Sequence, residues 1–173
     1  TVIMIKSISI VFPAYNEEEN IIPLINATLP VLQSITKDFE IVFVDDGSRD
    51  KTAQILEQLK KEKYIKVYTL KRNMGKATAL YVGFQMATKE VIITMDSDLQ
   101  DDPKEIPLLL AKIDEGYDFV NGWKKNKHAE HKSPLKRASS LFFNAVIVKP
   151  RKVPQSASLI ITSCATSTKR RVK

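Results

Sequence analysis

Cysteine is all but missing from this chain. Cys164 is the only one in 173 residues, so no internal disulfide can form and a stapled secreted scaffold is not indicated. Long apolar runs are missing too. None approaches the ~20 residues needed to span a bilayer, and no charged-then-apolar leader opens the chain. The expectation is a protein of the cytoplasm, or of the cytoplasmic face of a membrane, with no transmembrane segment. Histidine is limited to His128 and His131, too few for a metal centre built on imidazole. Glycine is scarce, at five residues, while 43% of the chain is hydrophobic; that is the composition of a packed domain, not of a disordered one. Acids nearly vanish after residue 122. Residues 123–173 hold 13 of the 27 Lys and Arg but a single acid, Glu130. A basic third on an acidic body implies an anionic partner. Nucleic acid is disfavoured, because few aromatics interleave the basic residues and no reader motif is present. A lipid phosphate or a membrane surface fits that charge, giving peripheral membrane contact through the basic third.

What is present is a repeated pattern of short apolar runs followed by polar loops and helical stretches. Ile8–Phe12 reads as a strand that stops at Pro13, since proline cannot donate to a central ladder. Pro13, Tyr15 and Glu17 follow in a loop that enters a helix, which Pro30 is expected to kink or end. Residues 39–44 read as a second strand ending in Asp45-Asp46-Gly47-Ser48, where Asp-Gly signals a turn. A carboxylate there can accept from a nucleobase N–H or from ribose hydroxyls; alone, it reads better as a turn residue. Residues 65–70 form the third strand. In the loop after it, Gly75 permits close backbone approach, and Arg72 or Lys76 can reach a phosphate. The Walker spacing is missing there, and no Gly-x-Gly-x-x-Gly follows Phe12, which disfavours a nicotinamide-binding domain.

The fourth strand, Val91-Ile92-Ile93-Thr94, runs into Asp96, Asp98 and Gln100. Alternate residues of an extended chain point the same way, roughly 6.5 Å apart along the backbone. Three oxygen donors of one parity suit Mg²⁺ or Mn²⁺. By itself an Asp-x-Asp more often caps a turn, or the helix after Pro103. A fifth strand is expected over 117–122, and a helix over 134–148. Strand alternating with helix implies βαβ units, hence an α/β protein with a mainly parallel, Rossmann-like sheet and helices on both faces. Ligands bind at the carboxyl ends of such strands, where all four polar loops collect.

Four motifs occur in order: residues 12–18, 44–48, 72–76 and 95–101. Together they resemble glycosyltransferase family 2, with its GT-A nucleotide-sugar fold, and most nearly its dolichyl- or polyprenyl-phosphate sugar synthase branch. The resemblance implies an inverting transferase that moves a sugar from a nucleotide-diphosphate donor, of the GDP-mannose or UDP-glucose type, to a polyprenyl or dolichyl phosphate with metal assistance. It implies that Pro13, Tyr15, Glu17, Asp45, Asp46, Lys76 and Asp96 hold the nucleotide. It gives the metal to Asp96, Asp98 and Gln100, with Asp98, Lys124 and Arg137 as the catalytic set. The cofactor is then Mg²⁺ or Mn²⁺, and the partners are a nucleotide-sugar donor and a lipid-phosphate acceptor. On this basis residues 1–148 form the catalytic domain, and 149–173 a basic Ser/Thr-rich tail. That tail lacks the acidic and aromatic members of the family's acceptor-side segment. A nucleotide-sugar-binding domain without turnover is therefore the alternative.

Overall fold

The computed structural model describes residues 5–122 and the backbone of residues 146–148. Strands β1 (Ser7–Ala14), β2 (Asp38–Asp45), β3 (Ile65–Thr69) and β4 (Val91–Thr94) alternate with helices α1 (Ile21–Ile35), α2 (Thr52–Leu59) and α3 (Lys76–Met86). A 3-10 turn at Pro103–Glu105 then leads into α4 (Ile106–Asp114), and β5 (Phe119–Asn121) and β6 (Val146–Val148) complete the sheet. The order across it is β3-β2-β1-β4-β6-β5. The pairs β1–β2, β1–β4 and β2–β3 are parallel, whereas β6 runs antiparallel to both β4 and β5. The expected α/β, mainly parallel arrangement is therefore the one observed.

Alternation along the strands sorts side chains onto two faces. Ile8, Ile10 and Phe12 of β1, Ile41 and Phe43 of β2, and Val91 and Ile93 of β4 pack beneath α1, α2 and α4. Phe12 and Phe43, registered opposite one another, stack with ring centroids 5.2 Å apart. Val11, Val42, Val44 and Ile92 face the other way, onto Ala79, Leu80 and Phe84 of α3. Both faces are thus covered by helices, as parallel sheets require. Each fully buried Phe, Ile or Leu contributes about 1.5–3 kcal/mol. Among the described residues the two clusters leave the strand ends and their loops open for chemistry.

Three readings of the sequence need correction. First, β1 does not stop at Pro13; it continues to Ala14, with Pro13 opposite Val44 and Ala14 opposite Asp45. The Val11 carbonyl faces β4, where it accepts from the Met95 amide, and Pro13 shares that parity. At Pro13 β4 has already ended, so the missing N–H breaks no ladder bond. Second, α1 does not end at Pro30, which lies inside it. The helical bond lost there would have used the Asn26 carbonyl, and Asn26 and Pro30 both lie on the exposed face. Water can satisfy that carbonyl while the buried face of Ile21, Leu24, Ile25, Thr28 and Leu32 holds the helix. Third, residues 146–148 of the expected 134–148 helix are strand. Three consecutive β-branched residues suit the slot between β4 and β5. The remainder of that expected helix lies outside the described residues, as do the tail at 149–173 and the boundary before it.

Candidate active site

The loops after β1, β2, β3 and β4 meet at one edge of the sheet. The first two are fastened by five hydrogen bonds. The Asn16 amide donates to Ser48 Oγ (2.9 Å), and the Arg49 amide returns to Asn16 Oδ1 (2.8 Å). The Glu17 amide donates to Thr52 Oγ1, the Glu18 amide to Asp50, and the Lys51 amide to Glu18. Asn16 turns the chain with φ of 56°, a left-handed conformation that asparagine tolerates better than most residues. Asp50 also accepts from the Thr52 amide at the start of α2. Burial alone would raise the Asp50 pKa, but hydrogen bonds from Thr52 and Glu18 outweigh it and hold the carboxyl below its ordinary value.

The second and third loops are joined through Asp46. Its Oδ1 accepts from the Met74 amide at 2.7 Å and its Oδ2 from the Gly75 amide at 2.8 Å. The neighbouring Gly47 has φ of +69°, and a Cβ placed on it would lie 2.5 Å from the backbone carbon of Arg72. Only glycine lets these loops approach so closely. Asp45 is fully buried. Its Oδ1 accepts from the Ser48 amide at 3.0 Å, while its Oδ2 has no hydrogen-bond partner among the described residues. A buried carboxylate oxygen in that state calls for a donor.

The fourth loop leaves β4 at Thr94, so the chain is not extended to residue 100. Leu99, with φ of 60°, breaks the alternation on which the shared parity of Asp96, Asp98 and Gln100 rested. Ser97 Oγ donates to the Pro13 carbonyl at 2.8 Å and ties this loop to β1. Asp98 Oδ1 accepts from the Gln100 amide at 3.1 Å. Helix capping falls to Asp102, which accepts from the Lys104 amide ahead of α4. Asp96 Oδ1 receives the Lys76 ammonium at 2.5 Å.

A cleft of about 280 Å³ opens among these loops. Of the residues singled out from sequence, Pro13, Tyr15, Glu17, Asp46, Gly75, Lys76, Asp96 and Asp98 line it, together with Ala14, Asn73, Ala79 and Ser97. Asp45 lies beneath the same edge without lining the cleft, and Gln100 is exposed outside it. Lys124 and Arg137 lie outside the described residues. Asn16 and Ser97 were not singled out from sequence. Their signal is local only: an asparagine in a turn, and the small polar residue between two aspartates.

Among the described residues, no group of three or more His, Cys, Asp or Glu is arranged to hold a metal ion. The donor set nonetheless fits one kind of cation. Mg²⁺ and Mn²⁺ at phosphate sites take one or two carboxylates and complete their shell with phosphate oxygens and water. Asp96 and Asp98, which both line the cleft, are the carboxylates that could serve such a shell. Among the described residues no helix is long and apolar enough to cross a membrane.

The profile described as glycosyl transferase family 2 matches residues 9–164. The chain is 40% identical over 147 residues to an undecaprenyl-phosphate 4-deoxy-4-formamido-L-arabinose transferase of Photorhabdus laumondii, covering 84% of this chain and 44% of that protein. It is 44% identical over 125 residues to the protein of the same description from Pectobacterium atrosepticum, covering 71% and 38%. The chain thus spans less than half the length of these relatives. Among solved structures, S. aureus TarS 1-349 in complex with UDP-GlcNAc superposes with a TM-score of 0.58 at 29% identity, covering 74% of this chain and 37% of that one. Glucosyl-3-phosphoglycerate synthase from Mycobacterium tuberculosis, in complex with Mn2+, UDP and glucosyl-3-phosphoglycerate, superposes at 0.61 and 21% identity over 83% and 57%. The latter likeness is one of fold.

Proposed function

The chain belongs to glycosyl transferase family 2, and on that premise we propose that it moves a sugar from a nucleotide-diphosphate donor to a polyprenyl phosphate, with a divalent cation on the donor diphosphate. The observation that carries this reading is the convergence of Asp96, Asp98 and Lys76 on the cleft that Tyr15, Glu17 and Asp46 also line. Two carboxylates and an ammonium at the carboxyl ends of parallel strands suit a diphosphate and its cation. The undecaprenyl-phosphate transferases among the relatives supply the acceptor class, and the UDP-GlcNAc carried by TarS favours uridine as the base.

In this reading the base and ribose lie over the β1 and β2 ends, above the buried Asp45, whose Oδ2 would accept from a ring N–H or a hydroxyl only once the loops over it open. Tyr15, about one-third exposed at the cleft wall, offers a flat face to the base. Asp96 and Asp98 hold the cation, which as a Lewis acid stabilises the negative charge that develops on the departing diphosphate. Lys76 adds a second positive charge at the start of α3, where the helix dipole also favours an anion. A phosphate acceptor is already ionised at neutral pH, so the chain needs no dedicated base to deprotonate it. In-line attack on the anomeric carbon then inverts its configuration. The expected membrane contact and the contributions of Lys124 and Arg137 lie outside the described residues and belong to the proposal alone.

The test is calorimetric titration of UDP, GDP and their sugar conjugates with Mn²⁺ and with EDTA, followed by measuring nucleoside diphosphate release with and without polyprenyl phosphate. Metal-enhanced binding of UDP and acceptor-dependent release are expected. Binding without acceptor-dependent release would leave a donor-binding domain that does not turn over. Absence of nucleotide binding would overturn the site.

A further inference from the structure

The cleft contains a cation of its own. Lys76 Nζ sits 2.5 Å from Asp96 Oδ1, on one of the two carboxylates that would hold a divalent ion. Its backbone is fixed, because Lys76 begins α3 directly after the Met74 and Gly75 amides that Asp46 grips. Its side chain is about half open to solvent, 49% exposed, whereas that of Asp96 is 19% exposed. A long flexible stem on an anchored helix start can change partners without moving the fold. We propose that the Lys76 ammonium is an internal counter-ion that occupies the Asp96 cation seat until a diphosphate draws it away, so that nucleotide and divalent cation reinforce one another's binding. The proposal rests on the donor-site reading above and adds to it a coupling device.

The physics is a competition followed by an exchange. A divalent ion arriving alone must displace the ammonium from Asp96 or share the cleft with it, and like charges repel at that range. A diphosphate offers Lys76 oxygens of higher charge and relieves both costs together. Because coupling is reciprocal, a cation that displaces Lys76 also makes it available to the diphosphate. Removing the ammonium therefore acts with opposite signs on the two ligands. Partly exposed ion pairs are modest in strength, and a few-fold change in affinity is the scale to expect.

The experiment titrates the full chain with Mn²⁺ alone, with Mn²⁺ at saturating UDP, and with UDP in EDTA. It compares the wild type with Lys76→Met and Lys76→Arg, following free Mn²⁺ by electron paramagnetic resonance and UDP by calorimetry. For Lys76→Met, affinity for Mn²⁺ alone should rise about two- to fivefold. Its affinity for UDP in EDTA should fall by a similar factor, and the tightening of Mn²⁺ by UDP should shrink. Lys76→Arg, which keeps the charge, should stay within about twofold of the wild type. Lys76→Met binding Mn²⁺ no tighter than the wild type, where the wild type binds both ligands, overturns the counter-ion role alone. If neither Mn²⁺ nor UDP binds any of the three proteins, the donor-site reading falls and takes this inference with it.

Discussion

At the scale of single residues, the aspartates divide into those that hold the protein together and those that face the cleft. Asp46 has both oxygens committed to the amides of Met74 and Gly75, even though it also lines the cleft. Asp46→Ala should therefore lower stability by about 1–3 kcal/mol, the scale of losing two hydrogen bonds to a carboxylate at a partly buried site. It should also weaken UDP binding in EDTA, because the loop that presents Lys76 loses its anchor. Thermal unfolding and calorimetry on one sample check both; a lower melting temperature with unchanged UDP affinity would reduce Asp46 to a turn residue. Among the described residues Asp98 accepts a single hydrogen bond, from the Gln100 amide, so Asp98→Ala should leave the melting temperature within about 2 °C and abolish the enhancement of donor binding by Mn²⁺. Unchanged donor affinity with Mn²⁺ would remove Asp98 from the metal set. The sequence made both residues visible as carboxylates at strand ends. It did not separate their tasks, because the partners of Asp46 lie 28 and 29 residues away and no local pattern records them. The alternative that Asp96 and Asp98 cap the helix after Pro103 is answered by a neighbour, since Asp102 takes that position.

At the scale of elements, strands and helices follow from the apolar runs, while their ends are set by neighbours. Pro13 stays inside β1 because β4 is too short to need its N–H, and α1 passes Pro30 because the affected carbonyl faces water. Neither circumstance is written in the residues beside the prolines. The short β6 was hidden for a similar reason: three β-branched residues in an apolar stretch fit a helix pattern as well as a strand until a slot between β4 and β5 is known. Helix α3 carries the most consequence for the site. Gly83 lies so close to β1 that an added Cβ would meet Val11 Cγ1 at 2.2 Å. Gly83→Ala should push α3 off the sheet and cost about 1–3 kcal/mol, although alanine is the better helix former. Since Lys76 is the first residue of the same helix, UDP affinity in EDTA should fall along with the melting temperature. Retained melting temperature and affinity would mean that Val11 moves aside at no cost.

At the scale of the whole molecule, the two ends of the sheet have different work. The carboxyl ends of the strands open into the cleft, whereas the opposite end is closed by a polar tie around Glu40. This side chain, only 4% exposed, accepts from Ser9 Oγ of β1 at 2.7 Å and pairs with Lys66 of β3 at 2.7 Å. It also takes the amide and hydroxyl of Thr88 in the connection from α3 to β4. One carboxylate on β2 thereby joins its two flanking neighbours and the entry to β4. Burial pushes the Glu40 pKa up, but the Lys66 ammonium, the Ser9 hydroxyl and the Thr88 donors together outweigh it, and the group titrates below its ordinary value of 4.5. A carboxyl held lower in the folded state than in the unfolded chain stabilises the fold above the unfolded value. That contribution is lost as pH falls through the lower, folded value. Glu40→Gln should cost about 1–3 kcal/mol at pH 7, which for a domain of this size lowers the melting temperature by roughly 2–4 °C per kcal/mol. As pH drops below about 4.5 the gap between the variant and the wild type should narrow, because protonation strips the wild type of the same charge. Melting curves from pH 7 to pH 3 decide it: a gap that stays constant throughout would mean that the tie acts by shape and packing and that its charge contributes nothing. The tie lies at the end of the sheet away from the cleft, so UDP affinity at pH 7 should be unaffected in the variant. That separates a stability effect of the far end from any effect on donor binding.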